Sequence, residues 1–261
     1  MRILMTLLWL FMVDGFADTE RVRTIEKSIT SPKDIMPISD SLVVPYVYVK
    51  AISLNNLPVV QKKRKFFAMM LPAILVAKTE QRFVMEEVKK LSKKTTLTKQ
   101  EQVFVNKLMK EYKAKTIHML IARLHGFPVS IVLAQAAVES GWGTSRFFLQ
   151  ANNPFGMWSF NSDQQRIAAS SHRSGEKVYL RKFNNLEQAI EAYYVMLATG
   201  PYADFRLAIH QTSDPYELCD HLLCYSERGE AYVQEIKNVI RTNNLTQYDS
   251  YRIAPKYIVA E

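Results

Sequence analysis

The stretch Leu133–Gly143, reading Leu-Ala-Gln-Ala-Ala-Val-Glu-Ser-Gly-Trp-Gly, constrains this chain more than any other. It predicts a helix of small residues that carries one carboxylate, Glu139, where the helix ends. Pro128 suits a first helical position, and Gly141 or Gly143 the stop. Ile131, Ala134 and Val138 share one face at steps of three and four. Glu139 falls on a stripe with Val132, Gln135 and Ala136, none of them charged. Small apolar neighbours and the negative end of the helix dipole both disfavour the ionised carboxylate, so its pKa should rise. A carboxylic acid still protonated near neutral pH is what a general acid must be. The competing reading is a solvated surface glutamate.

Around this helix the pattern is mainly α. Residues 18–60 are polar and then extended, with Pro32, Pro37, Pro45 and Pro58 interrupting any helix. Leu42 to Ile52 is β-branched and aromatic but holds Pro45, which makes it an edge strand or a wrapped segment. Gln61 to Lys94 reads as helix, kinked or divided at Pro72. Thr98 and Glu101 form a capping box that opens another helix, with Val105, Leu108, Met109 and Tyr112 inward. These pieces predict a basic helical module over 18–115. The second domain, 116–261, continues with a helix near 116–124, the Glu139 helix and a short helix near 145–150. Gln165 to Phe183 is a hairpin turning at Ser174-Gly175. Three helices then start at Asn185, at Asp214-Pro215 and near Arg228.

The first residues read as a secretory signal over 1–17. Arg2 gives a positive start, Ile3 to Val13 an apolar run of 11, and Gly15-Phe16-Ala17 a small-x-small cleavage site. An uncleaved anchor or a buried N-terminal helix is the alternative. Eleven residues fall short of the roughly 20 a spanning helix needs, so no transmembrane span is expected. The implied location is outside the cytoplasm, secreted or in the periplasm or cell envelope. Cys219 and Cys224 lie five apart in what reads as one helix, too far along its axis for a bridge, and both are expected as buried thiols.

The net charge of +9 is localised: residues 61–115 hold 15 Lys or Arg against 5 Glu. Such a stretch suits an anionic polymer or membrane surface, and secretion argues against nucleic acid. A solvated helix face is the plainer reading.

Several chemistries lack support. There is no G-x-S-x-G, phosphate loop, G-x-G-x-x-G or H-E-x-x-H. The histidines (His118, His125, His172, His210 and His221) show no ligand spacing, and two cysteines without matching histidines make no zinc site. No metal and no cofactor is expected. What remains is a carboxylate in an aromatic, amide-rich setting. Trp142, Phe155 and Trp158 follow Glu139, with Asn152 and Asn153 between them. Aromatic faces and amides match the apolar ring faces and polar fringe of sugars.

Ala134-Gln-Ala-Ala-Val-Glu-Ser-Gly-Trp-Gly-Thr-Ser-Arg146, followed by Asn152-Asn-Pro-Phe-Gly156, resembles the peptidoglycan β-N-acetylglucosaminidase family, and within it the Bax-like branch of bacterial envelope proteins. The resemblance covers roughly 117–245, including Phe183, Pro201-Tyr202 and the run from Tyr225 to Tyr232. It implies an α+β, mainly α, lysozyme-like domain in which the hairpin forms one wall of a sugar groove. It implies an endo-acting hydrolase of the β-1,4 bond after N-acetylglucosamine in peptidoglycan glycan strands, with Glu139 as general acid. Asn153, Trp158, Tyr202 and Tyr232 would be substrate or structural positions. There is one departure. Relatives with a second carboxylate place it before the hairpin turn, where this chain reads Ala168 to Gly175 without one. Asp163 and Glu176 are the nearest candidates, both at unmatched positions. Muramidase or lytic transglycosylase chemistry on a related fold, and a non-catalytic wall-binding protein, are the rival readings.

Overall fold

In a computed structural model, residues 20–173 and 176–260 are described, for 170–173 and 176 the backbone alone. The signal segment and the hairpin turn at Ser174-Gly175 lie outside the described residues. Among the described residues helices dominate, with four small strand pairs between them.

The N-terminal part begins with β1 (Glu20–Val22), β2 (Ile25–Lys27), β3 (Leu42–Val43) and β4 (Tyr46–Tyr48). β2 and β4 pair in parallel. Helix α1 (Val59–Leu91) follows and runs unbroken through Pro72. Proline inside a helix costs about 3 kcal/mol or more through its missing N–H and its ring. Here the unbroken buried run Phe66–Ala77 offsets that cost, and of the two outcomes expected at Pro72, a kink or a division, the division does not occur. Helix α2 (Lys99–Glu111) opens on the capping box expected at Thr98 and Glu101. Helix α3 (Ile117–Arg123) is capped by Thr116.

Helix α4 (Val129–Glu139) is the predicted small-residue helix, and Val129 through Ala137 are all buried. A helix apolar on every side must be enclosed on every side. α1 encloses part of it, together with later elements: α8 (Pro215–Cys219), α9 (Glu230–Thr242) and the 245–250 turn. Between them in sequence come α5 (Arg146–Ala151), the hairpin β5 (Arg166–Arg173) and β6 (Glu176–Arg181), α6 (Leu186–Thr199) and α7 (Ala203–Ala208). Asn185 and Asp214 cap α6 and α8 as their sequence predicts.

The chain ends with β7 (Arg252–Ile253), parallel to β3, and β8 (Ile258–Ala260), antiparallel to β1. These two pairs bring the C-terminus back onto the N-terminal segment. Phe66–Ala77 of α1 share one buried cluster with residues of α4, α6 and α9. A smaller cluster joins Val88 of α1 to Leu108, Tyr112 and Leu120.

Cys219 ends α8 and is buried, but Cys224 sits in the following 3-10 turn and is exposed. Both are free. The expectation of one helix with two buried thiols is corrected there, because the α-helix stops at Cys219. Among the described residues no helix is long and apolar enough to cross a membrane, and no cluster of His, Cys, Asp or Glu could hold a metal ion.

Candidate active site at the end of the central helix

The turn that ends α4 is built on left-handed backbone. Gly141, Trp142 and Gly143 take φ values of 57°, 60° and 80°. Ser140 holds them in place. Its hydroxyl donates to the Ala136 carbonyl at 2.6 Å and accepts from the Gly143 N–H at 2.9 Å. Trp142 then packs, partly buried, against Phe66 and Phe67 of the core, with ring centroids 6.0 and 5.6 Å away, and Lys63 covers it at 4.5 Å. This strained turn halts the helix at Glu139 and leaves the carboxyl half-buried at its end.

Behind Glu139 lies a chain of hydrogen bonds made by three elements. The Tyr193 hydroxyl of α6 donates to Gln135 Oε1, and Gln135 Nε2 donates to the Tyr232 hydroxyl at 3.0 Å. Tyr232 in turn hydrogen-bonds the Glu139 carboxylate. Gln135 is one turn back from Glu139 on the stripe read from sequence. With the Gln135 amide nitrogen donating to it, the Tyr232 hydroxyl keeps its own proton for the Glu139 carboxylate, which only accepts.

Burial raises the Glu139 pKa above its ordinary value. The Tyr232 hydrogen bond and the Arg228 cation pull it down, and Glu235 pushes it up. Arg228 and Glu235 form an ion pair at 2.7 Å, and the Arg228 guanidinium stands 5.4 Å from the Tyr232 ring centroid. Tyr225 stacks on Tyr232 at 5.4 Å, and Tyr202 lies 5.9 Å from Tyr225. Burial raises the pKa of all three tyrosines, and the Glu139 charge adds to it.

The structure thus brings Glu139, Tyr202 and Tyr232 together. Tyr232 is 0% exposed, so it supports the carboxyl from behind. Asn153 and Trp158 belong to the loop that docks on the hairpin. Asn153 is 1% exposed, and its amide is spent on the carbonyls of Met157 and Arg181 and the Met157 N–H. Its place is to hold that loop. Trp158 bridges Leu180 of β6 and is 40% exposed, with its ring beside Phe160. Phe155 is a core residue, stacked on Tyr193 at 4.0 Å, whereas Trp142 is partly buried against the core. The backbone of Glu176 opens β6 opposite Arg173, while its side chain is outside the described residues. Asp163 is exposed.

Sequence reasoning missed Arg228, Glu235 and Tyr225. Their signal was the density of charge and tyrosine between 225 and 235, which looks like an ordinary helix start until the fold turns it toward Glu139.

The family described as Mannosyl-glycoprotein endo-beta-N-acetylglucosaminidase matches residues 115–245, from the start of α3 past the end of α9. The chain belongs to this glucosaminidase family. Glu139, its hydrogen-bond chain and the tyrosine cluster all fall within the glucosaminidase match. Protein bax of Escherichia coli (strain K12) is 29% identical over 120 residues, 43% of this chain and 42% of that protein, so the match spans under half of that relative. Among solved structures, the catalytic domain of the autolysin Auto from Listeria monocytogenes aligns at 19% identity and a TM-score of 0.41, covering 62% of this chain and 95% of that one. A peptidoglycan hydrolase from Sphingomonas sp. A1 aligns at 22% identity and a TM-score of 0.39, covering 55% and 85%.

Proposed function

We propose that this protein is a peptidoglycan hydrolase that cleaves the β-1,4 bond after N-acetylglucosamine within glycan strands, with Glu139 as general acid. The observation that carries the reading is a half-buried carboxyl of raised pKa, oriented by Tyr232 at the end of α4, in a chain of the glucosaminidase family. Glu139 delivers its proton to the glycosidic oxygen as the bond to the anomeric carbon breaks. The substrate's 2-acetamido oxygen attacks that carbon from the other side, a route that needs one protein acid. Water then opens the cyclic intermediate and returns a proton to Glu139. The unmatched hairpin favours this route over one with a second carboxylate, and Glu235 is committed to Arg228.

Trp158 offers its exposed ring to a sugar face. The N-terminal apolar run delivers the protein to the periplasm or cell envelope. The surplus positive charge of 61–115 adds attraction to anionic wall surfaces, so sacculus binding falls as salt rises.

The test is product analysis on purified peptidoglycan. Wild type releases fragments with reducing N-acetylglucosamine ends, and Glu139→Gln, which keeps the shape but has no proton to give, loses activity by about 10²-fold or more. Reducing N-acetylmuramic acid or 1,6-anhydro ends would replace this reading with muramidase or lytic transglycosylase chemistry. Sacculus binding without released fragments would leave a wall-binding protein.

A further inference from the structure

A large cavity lies at the opposite end of α4 from Glu139. The 11 residues of α4, at about 1.5 Å each, set the two ends roughly 15 Å apart. The cavity measures about 630 Å³, within the roughly 300–1,000 Å³ typical of small-ligand sites. α1, the 125–128 loop, the 209–213 segment and the C-terminal 249–258 segment wall it. Leu75, Phe127, Ile209, Leu218 and Ile253 give it an apolar floor.

The charge on this cavity is positive. Lys78 and Arg82 come from one face of α1, one turn apart, and Arg252 comes from β7. The Lys78 stem runs past Gly126, where an added Cβ would stand 3.6 Å from its Cγ. Burial lowers the Lys78 pKa, with the Asp249 charge opposing it and Arg252 adding to it. Asp249 does not bond Lys78. Its two oxygens accept from the Ser130 N–H at 2.8 Å and the Ser130 hydroxyl at 2.7 Å, which caps the start of α4. Half-buried on the cavity wall, the Lys78 ammonium is placed to pair with an oxyanion entering the cavity.

We propose that this cavity binds an anionic amphiphile, a carboxylate or phosphate head held by Lys78 with Arg82 and Arg252 at the rim, and an apolar body laid on the floor. A nonionic amphiphile forgoes the head contact, and a free anion forgoes the floor. The site is independent of Glu139 and of any glycosidase activity.

The experiment is calorimetric titration of the full chain with dodecanoate, dodecyl phosphate, dodecyl maltoside and inorganic phosphate, each amphiphile below its micelle concentration. One molecule of dodecanoate or dodecyl phosphate per chain is expected, and whichever head binds tighter names the source. Dodecyl maltoside and inorganic phosphate each bind about tenfold more weakly or worse. Lys78→Met, which keeps the stem, weakens dodecanoate or dodecyl phosphate by about tenfold. Arg252 is exposed, so Arg252→Gln leaves the core intact and weakens binding severalfold even if Lys78→Met fails to fold. No saturable binding of either anionic amphiphile overturns the proposal. So does equal affinity for dodecyl maltoside or inorganic phosphate, or unchanged affinity in the folded variants.

Discussion

Glu139 is poised by opposed influences, and each can be removed singly. Burial favours its protonated form, while the Tyr232 hydrogen bond and the Arg228 charge favour the ionised one. Tyr232→Phe removes a bond to the charged form, so the Glu139 pKa rises further. In a pH profile of kcat/KM the alkaline limb, where the acid is lost, moves to higher pH. The rate at the optimum falls by roughly tenfold because the carboxyl loses its orienting partner. Arg228→Gln moves the limb the same way, since it removes a cation and leaves Glu235 unopposed. Arg228 is half-exposed, so solvent screening makes that shift smaller than the one from Tyr232→Phe. An alkaline limb that stays in place in both variants would remove Glu139 from the titrating role.

Among elements, the turn after α4 decides where the carboxyl sits. A Cβ on Gly143 would meet Phe66 at 3.1 Å and Phe148 at 3.2 Å on backbone at φ +80°. Both rings belong to the core, so neither yields freely. Gly143→Ala should cost about 2–4 kcal/mol, read as a lower denaturant midpoint at unchanged slope. Activity per folded molecule should fall as well, because Glu139 sits four residues away on the same turn. The start of α4 is tied down differently, by Asp249 from the C-terminal segment. One helix therefore carries the candidate acid at one end and, at the other, starts beside the cavity that Pro128 helps line.

At the scale of the molecule, the core holds carboxyls far from Glu139. Burial pushes Glu80 of α1 up to about 7, Glu191 of α6 up to about 8, and Glu187 well above the ordinary range. The Glu80 charge raises both Glu187 and Glu191, and Glu191 raises Glu187, with Glu111 adding to Glu191 and Glu26 to Glu187, while Arg21 and the Val22 N–H temper Glu80. Raised carboxyl pKa values mean that the folded state binds more protons than the unfolded one between about pH 4.5 and 8. That stability is full below the unfolded pKa and is lost as pH rises through the folded values. Thermal unfolding should give its highest midpoint near pH 5 and fall steadily toward pH 8. His125, whose pKa burial lowers, opposes the trend by one proton. Glu191→Gln should flatten the profile, and a midpoint that climbs from pH 5 to 8 would refute this account.

Local chemistry was legible in the residues alone. Thr98 with Glu101, Asn185 and Asp214 announced their helices because a cap is made by residues two or three apart. The small-residue period of α4 announced a buried helix ending in one acid, and the Glu139-to-Gly156 text announced the family. Tertiary structure alone decided what surrounds that acid. Tyr193, Gln135 and Tyr232 meet only because α6 and α9 pack against α4, and Arg228 reaches Glu139 only through that packing. The core place of α1 was hidden by its lysines, whose pattern looked like a solvated face while Phe66–Ala77 ran buried beside it. Strands of two or three residues carry no readable period, so the pairs that return the C-terminus to the N-terminal segment, and the cavity they help enclose, were invisible until the chain was folded. Caps and periods act within a turn or two of chain, whereas a site is assembled by which faces the whole core brings together.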